Sequence, residues 1–398
     1  MLVVFNNYHQ MSHLKRMFRP LIIDAGGIQQ LPSNESFEAK YMYADGFYFR
    51  DDQDTGIYHL ASNKLGISAT AGIHANGRFT SDDDLAYLMG LIETDEEPGA
   101  TWSDLGQQFS QAHIRSLAYL GNGIVLAGTS PNGKILRSTD YGATWSDLGQ
   151  QAGQLGIYSL VYLGNGIVLA GTILDGKILR SVDHGATWSD LGQQFSQARI
   201  YSLAYLGNGI ALAGTIPDGK ILRSTNYGAT WSDLGQQFSQ THIYSLAYLG
   251  NGIALAGTEP DGKILRSTDY GATWSDLGQQ FGETYIYSLA YLGNGIALAG
   301  TRPGGKILRS VDYGATWSDL GQQASETHIM SLAYLGNGIV LAGTGFHGKI
   351  LRSTDYGATW SDFGQQFGEA YIYSLAYLSN GIALAGTNPN GKILRSAF

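Results

Sequence analysis

From about residue 99 to the C-terminus the chain repeats short apolar runs separated by glycine-rich turns. One period reads Ala143-Thr-Trp-Ser-Asp-Leu148, a glutamine-rich link, Ile157-Tyr-Ser-Leu-Val-Tyr-Leu163, the turn Gly164-Asn-Gly166, Ile167-Val-Leu-Ala-Gly-Thr172, a short loop, and Gly176-Lys-Ile-Leu-Arg-Ser181. Runs this short, rich in Ile, Val and Tyr and bounded by Gly and Asn, predict β-strands; helices would space their apolar residues at a period near 3.6. No segment shows that period, so each repeat offers four strand candidates.

The repeat length is set by tryptophan: Trp102, Trp145, Trp188, Trp231, Trp274, Trp317 and Trp360 recur every 43 residues. Four strands in such a unit predict the blade of a β-propeller, and seven blades close on themselves around a central channel, leaving only short protected edges. The expected fold is all-β: a seven-bladed β-propeller of four-stranded antiparallel blades over 99–398, preceded by a small β-rich module over 1–98 with an acidic linker at 93–98. The ends of the array indicate how it closes. The first Thr101-Trp-Ser-Asp-Leu105 lacks three preceding strands, and the last unit stops at Gly391-Lys-Ile-Leu-Arg-Ser396 without a fourth. Residues 101–105 are therefore expected to be the outermost strand of the seventh blade, beside 372–378, 381–387 and 391–396.

Composition narrows the classes. Glycine supplies 55 of 398 residues while 43% are hydrophobic, which fits a turn-rich chain able to bury a large core. The absence of cysteine excludes disulfides, thiolate metal sites and cysteine nucleophiles. A formal net charge of −9 argues against a nucleic-acid partner, which calls for a cationic surface. The apolar runs fall well short of the roughly 18 residues a membrane span needs, and no basic segment precedes an apolar leader. No phosphate loop, metal motif or triad is present, so no cofactor is expected.

The link between third and fourth strands reads Ser138-Thr-Asp140-Tyr-Gly142-Ala-Thr144-Trp145. In such a turn Asp accepts backbone N–H bonds, Gly takes a positive φ, and Trp packs over the bend. It recurs at Asp183, Asp269, Asp312 and Asp355, with Asn226 in the third copy, while Asp95 and Glu97 stand in the Ser and Asp places before Trp102. The pattern resembles the Asp-box (BNR) repeat of sialidase-like propellers. Equivalent turns around a rim cannot converge on one substrate, so Asp140, Asp183, Asn226, Asp269, Asp312 and Asp355 are assigned to turn stability.

The first hundred residues lack the repeat. Their β-prone stretches are Leu21–Ile23, Tyr41–Phe49 and Leu65–Ala69. Arg19-Pro-Leu-Ile-Ile-Asp-Ala-Gly-Gly-Ile-Gln-Gln-Leu-Pro32 resembles an opening of tailed-phage tail and fibre proteins, and Phe49-Arg-Asp-Asp-Gln-Asp-Thr-Gly-Ile-Tyr58, followed by Leu65-Gly-Ile-Ser-Ala-Thr70, resembles a module of phage fibres. The resemblance implies a virion protein, assembled in the host cytoplasm, that joins other virion proteins through residues 1–98 and forms a homotrimer.

Variation among repeats concentrates on one face. Before the inner strand stand His113, Gly156, Arg199, His242, Tyr285, His328 and Tyr371; two residues later stand Arg115, Tyr158, Tyr201, Tyr244, Tyr287, Met330 and Tyr373. The loops from second to third strand also differ, with Glu259 and Arg302 among them. Flat rings with hydrogen-bonding edges suit a sugar or a protein surface, so the ligand-binding candidates are His113, Arg115, Tyr158, Arg199, Tyr201, His242, Tyr244, Glu259, Tyr285, Tyr287, Arg302, His328, Tyr371 and Tyr373. Drift of exposed loops predicts the same variability. The histidines fall in nonadjacent blades, against a shared metal ion about 2 Å from each.

The expected function is a noncatalytic phage tail fibre that binds a host-surface glycan or protein receptor. The alternatives are a glycan-cleaving tail enzyme, with acids among Asp175, Asp218, Glu259, Asp261, Glu283, Glu326 and Glu369 and the arginines Arg115, Arg199 and Arg302, scattered over different blades, and a structural adaptor of the particle. Near-identical units build a symmetric site ill suited to separate acid and nucleophile roles, which weighs here against catalysis.

Overall fold

The computed structural model describes residues 98–378 and 381–396, with the backbone of four short strands nearer the N-terminus. The chain divides into compact units Met1–Asp95 and Glu96–Phe398. In the first, β1 (Tyr41–Tyr43) pairs antiparallel with β2 (Gly46–Tyr48), and β3 (Ile57–Leu60) with β4 (Lys64–Ile67). The segments Arg19–Pro32 and Leu21–Ile23, residues 93–97 of the acidic linker with Asp95 and Glu97, and Ser379–Asn380 of the last inner hairpin lie outside the described residues.

The second unit is all-β and propeller-like. After β5 (Trp102–Gln107) come β6 (His113–Gly121), β7 (Ile124–Ser130), β8 (Lys134–Ser138) and β9 (Ser146–Gln150), paired antiparallel in that order. The same four-strand order repeats through β10 to β29, residues 156–365, with two consecutive units joined into one sheet by the single pairing of Ile173 with Arg199. The last unit has β30 (Tyr371–Tyr377), β31 (Ala383–Asn388) and β32 (Lys392–Ser396), and its fourth strand is β5: Lys392, Leu394, Arg395 and Ser396 face Gln107, Asp104, Ser103 and Trp102.

The burial pattern explains the strands. In β6, Ile114, Ser116, Ala118 and Leu120 are buried and alternate with half-buried residues, whereas β7 is buried almost throughout. A second strand covered on both faces by neighbouring units reads as a continuous apolar run and not as an alternation. The cores accordingly lie between units. One packs Leu126 and Ile135 against Ile157 and Val168 of the next unit. Another packs Ile114, Val125 and Leu136 against Leu378, Leu384 and Ile393, from the two ends of the array. Each fully buried Leu or Ile contributes about 1.5–3 kcal/mol.

Polar staples repeat with the units. Arg137 Nε donates to His184 O at 3.1 Å in the turn of the following unit, and Arg395 Nε donates to Tyr141 O at 3.3 Å, again from last to first. Arg352 Nε donates to Pro98 O at 3.1 Å, so the divergent segment before Trp102 still supplies the acceptor that the other turns supply.

Candidate functional site

Every first strand slips in register near its start. Its register slips between Ile114 and Ser116, Ile157 and Ser159, Ile200 and Ser202, Ile243 and Ser245, Ile286 and Ser288, Ile329 and Ser331, and Ile372 and Ser374. The residues skipped are Arg115, Tyr158, Tyr201, Tyr244, Tyr287, Met330 and Tyr373. A bulge leaves its extra residue without a ladder partner and re-aims the side chain. Here six of these side chains, Arg115 and the five tyrosines, meet. The Tyr201 ring stands edge-on to Tyr158 and Tyr244, with centroids 5.2 and 4.8 Å away, and Tyr244 stacks on Tyr287 at 4.9 Å. The hydroxyls of Tyr201 and Tyr287, two units apart, share a 2.7 Å hydrogen bond. Arg115 Cζ lies 4.8 Å from the ring centre of Tyr158 and 4.0 Å from that of Tyr373. Burial drives the phenol of Tyr201 far above its ordinary pKa and pushes that of Tyr287 up to about 12, so both remain protonated near neutrality.

The outer ring of the site comes from cross-strand pairs. Two columns that vary in sequence face each other in register: His113 and Ser130, Gly156 and Ile173, Arg199 and Ile216, His242 and Glu259, Tyr285 and Arg302, Tyr371 and Asn388. Directly opposed side chains in an antiparallel pair interact, and several of these do. His242 Nδ1 abuts Glu259 Oε2. Glu259 also accepts from Tyr244 and Tyr285; the Tyr244 pKa is raised by burial and then by the Glu259 charge, that of Tyr285 chiefly by its hydrogen bond to Glu259. Arg302 Cζ sits 4.9 Å from the Tyr285 ring centre.

A second set of contacts centres on Tyr371 and Tyr373. Tyr371 stacks on Tyr373 at 5.3 Å and meets Phe346 at 5.6 Å, and Phe346 packs edge-on against His328 at 4.7 Å. His113 stands edge-on to Tyr373 at 6.2 Å, and Asn388 Nδ2 donates to Tyr373 Oη at 3.1 Å. Burial, followed by the Arg302 charge, lowers the His328 pKa to about 4.

Most sequence candidates therefore fall into one aromatic and charged cluster. Arg199 does not: it is exposed and joins no ring contact of that cluster among the described residues. Three of the listed acids are also misplaced for contact with a ligand. Glu283, Glu326 and Glu369 are buried. Glu283 accepts from Gly304 N at 2.8 Å, Glu326 meets His347 Nδ1 at 3.0 Å, and Glu369 accepts from Asn390 Nδ2 at 2.8 Å, so each anchors a loop. Asp175, Asp218 and Asp261 accept from Gln154, Gln197 and Gln240 at 3.3, 2.9 and 2.9 Å. Phe346 and Asn388 were not among the candidates, although they belong to the variable loops. The signal was available, since Asn388 occupies the same repeat position as Glu259 and Arg302.

The turn aspartates are engaged within their own turns. Asp183 Oδ1 accepts from Thr187 N at 2.9 Å and Oδ2 from Thr187 Oγ1 at 2.6 Å, while Ser181 Oγ donates to Oδ1 at 2.7 Å. Burial works to raise its pKa, but these bonds outweigh it and bring the carboxyl down to about 2. Asn226 makes the corresponding bonds, accepting from Thr230 N at 2.9 Å and donating Nδ2 to Thr230 Oγ1 at 2.8 Å. Among the described residues no group of three or more His, Asp or Glu side chains is arranged to hold a metal ion.

With this geometry in view, comparison with known proteins places the fold. No family model matches the sequence, and no curated protein matches it. Solved structures do. A structure of YCF48 bound to a D1 peptide superposes with a TM-score of 0.61 at 20% identity, covering 75% of this chain and 97% of that one. A catalytically inactive virginiamycin B lyase from Staphylococcus aureus, solved with quinupristin, gives 0.64 at 11% identity over 75% and 99% of the two chains. A GH74 xyloglucanase from Xanthomonas campestris gives 0.60 at 15% identity, over 73% of this chain and 53% of the enzyme. This is a closed, propeller-like β fold. The identities are low enough that the likeness speaks for architecture alone.

The expectation of a noncatalytic protein is corrected by the same comparison: this fold houses lyases and a glycoside hydrolase, so it gives no ground for excluding an enzyme. The argument from symmetry also fails within the chain. The repeats are nearly identical in their cores, but the positions forming the cluster differ from unit to unit, and the Glu259–His242–Tyr285 constellation occurs in one place.

Proposed function

We propose that the chain forms a seven-bladed propeller, latched by β5, whose variable end receives a host-surface glycan at the cluster built on the bulged residues. The observation behind this reading is that a bulge at the same repeat position brings Arg115 and five tyrosines together, where the paired columns around them cease to repeat. Aromatic faces stack on the apolar faces of sugar rings, and phenol, imidazole, amide and carboxylate edges meet their hydroxyls. The N-terminal resemblance supports placing this propeller on a phage particle, as a homotrimer in which several weak sites act together.

A second reading, cleavage of the bound glycan, is favoured by Glu259. Its carboxylate is held among Tyr244, Tyr285 and His242 with Arg302 alongside, an arrangement able to exchange protons with a ligand. A glycan array with the full chain, followed by turnover of each bound glycan, tests both. Binding that is lost in Tyr244→Ala and Tyr373→Ala supports the first reading. Turnover that Glu259→Gln removes while binding persists supports the second; a full array without binding overturns both.

A further inference from the structure

Arg115 breaks the repeat in a way packing does not require. At the same bulge the other six units carry Tyr or Met, uncharged side chains that fill the place without an ionic partner. Arg115 is half-buried between the Tyr158 and Tyr373 rings, one from each neighbouring unit. Its Nε is buried without a hydrogen-bond partner, and so is His113 Nδ1 beside it. The groups acting on its charge are Tyr158, Tyr373, Tyr201 and Tyr287, with no carboxylate among them. Burial works against this charge, but the surrounding tyrosine rings outweigh it and hold the guanidinium pKa above its ordinary value, so the site is built to keep a cation. The carboxylate of the cluster, Glu259, is met by His242, Tyr244 and Tyr285.

We propose that Arg115 is an anion-binding residue whose missing partner is a carboxylate on the ligand, which makes the ligand an acidic glycan. This rests on the glycan reading above and adds its charge. The two flanking rings hold the guanidinium between them, and its planar fork of N–H donors matches the two oxygens of a carboxylate better than it matches neutral hydroxyls. Half-buried among tyrosine rings, the guanidinium is less screened by water than on an open surface, so its attraction for an anion is stronger.

The test uses the full chain and isothermal titration with four probes: a galacturonate tetramer, its methyl ester, an α2,8-linked sialic acid trimer, and a peptide with a free C-terminal carboxylate. The proteins are the natural chain, Arg115→Met, which copies the Met330 unit, and Arg199→Met, which removes the same charge from an exposed position on the same face. At least one acidic glycan is expected to bind the natural chain and Arg199→Met, and to bind Arg115→Met at least tenfold more weakly, with the methyl ester as weak as the mutant. Arg115→Met loses two cation–π contacts and is expected to melt a few degrees lower, so binding is compared at a temperature where every chain is folded. Acidic and neutral glycans binding alike, or acid binding unchanged in Arg115→Met, overturns the proposal. If no glycan binds but the peptide does so through Arg115, the anion site stands and the glycan reading falls; if no probe binds, both fall.

Discussion

The joint between the two ends of the array is open to a quantitative test through glycine. In the second strand of each unit a glycine lies against the first strand of the next. A Cβ built on Gly257 would come within 2.5 Å of Ser245 Oγ and 2.6 Å of Ile286 Cγ2. A Cβ on Gly386 would come within 2.5 Å of Ser374 Oγ and 2.5 Å of Ile114 Cγ2, the latter from the opposite end of the chain. Carbon atoms prefer separations of about 3.5–4.0 Å, so either methyl must push its neighbours by about 1 Å. Overpacking of that kind costs about 1–3 kcal/mol, from which alanine's smaller unfolded-state entropy returns about 0.4–1 kcal/mol. The net loss is up to about 2.6 kcal/mol, centred on about 1.3 kcal/mol, and for a domain of this size each kcal/mol is about 2 °C of melting temperature.

Gly386→Ala and Gly257→Ala should therefore lower the midpoint of calorimetric or urea unfolding by similar amounts. The decisive measurement is a double-mutant cycle with Ile114→Ala, which removes the Cγ2 that the new methyl would strike. In that background Gly386→Ala should cost at least about 0.5 kcal/mol less than alone, a coupling typical of touching residues. If Gly386→Ala is silent while Gly257→Ala destabilises, or if the cycle shows no coupling, the ends of the array are not packed as the interior units are.

The turn aspartates act through hydrogen bonds, so Asp183→Ala should cost about 1–2 kcal/mol in urea unfolding and Asp183→Asn distinctly less, because Asn226 already fills that role. Since the folded Asp183 carboxyl titrates at about 2, below its unfolded value near 3.9, its contribution is complete above about pH 4 and fades as pH falls toward 2. His328 adds a separate window: the unfolded imidazole binds a proton near pH 6.5 but the folded one near 4, so stability should fall as pH drops between those values, and His328→Gln should flatten that slope. Tyr287→Phe leaves the buried Tyr201 hydroxyl without its 2.7 Å partner and should cost about 1–3 kcal/mol, read by thermal unfolding.

The repeat made much of this architecture legible. Alternation in Ile114 to Leu120, the Gly-Asn-Gly turns and the tryptophan period are short-range signals, because strand pairing and turn conformation depend on neighbours a few residues away. The candidates for the variable end were legible too, as columns that cease to repeat. Their roles were not. Arg199 and Arg302 read alike in sequence, but one is exposed and the other lies over Tyr285, because only the second faces an aromatic ring across the strand pair. The buried glutamates also read as candidate acids, since burial beneath a loop leaves no mark in composition.

What the chain determined by itself is a unit of four strands, its turns, and the apolar seams by which one unit packs on the next. What the tertiary structure alone decided is which non-repeating side chains meet: a bulge in each first strand turns one residue toward the others, and Arg115 then lies between Tyr158 and Tyr373, neighbours in space from distant places in the sequence. Such encounters depend on the summed geometry of every intervening unit, and no local pattern of residues encodes that sum.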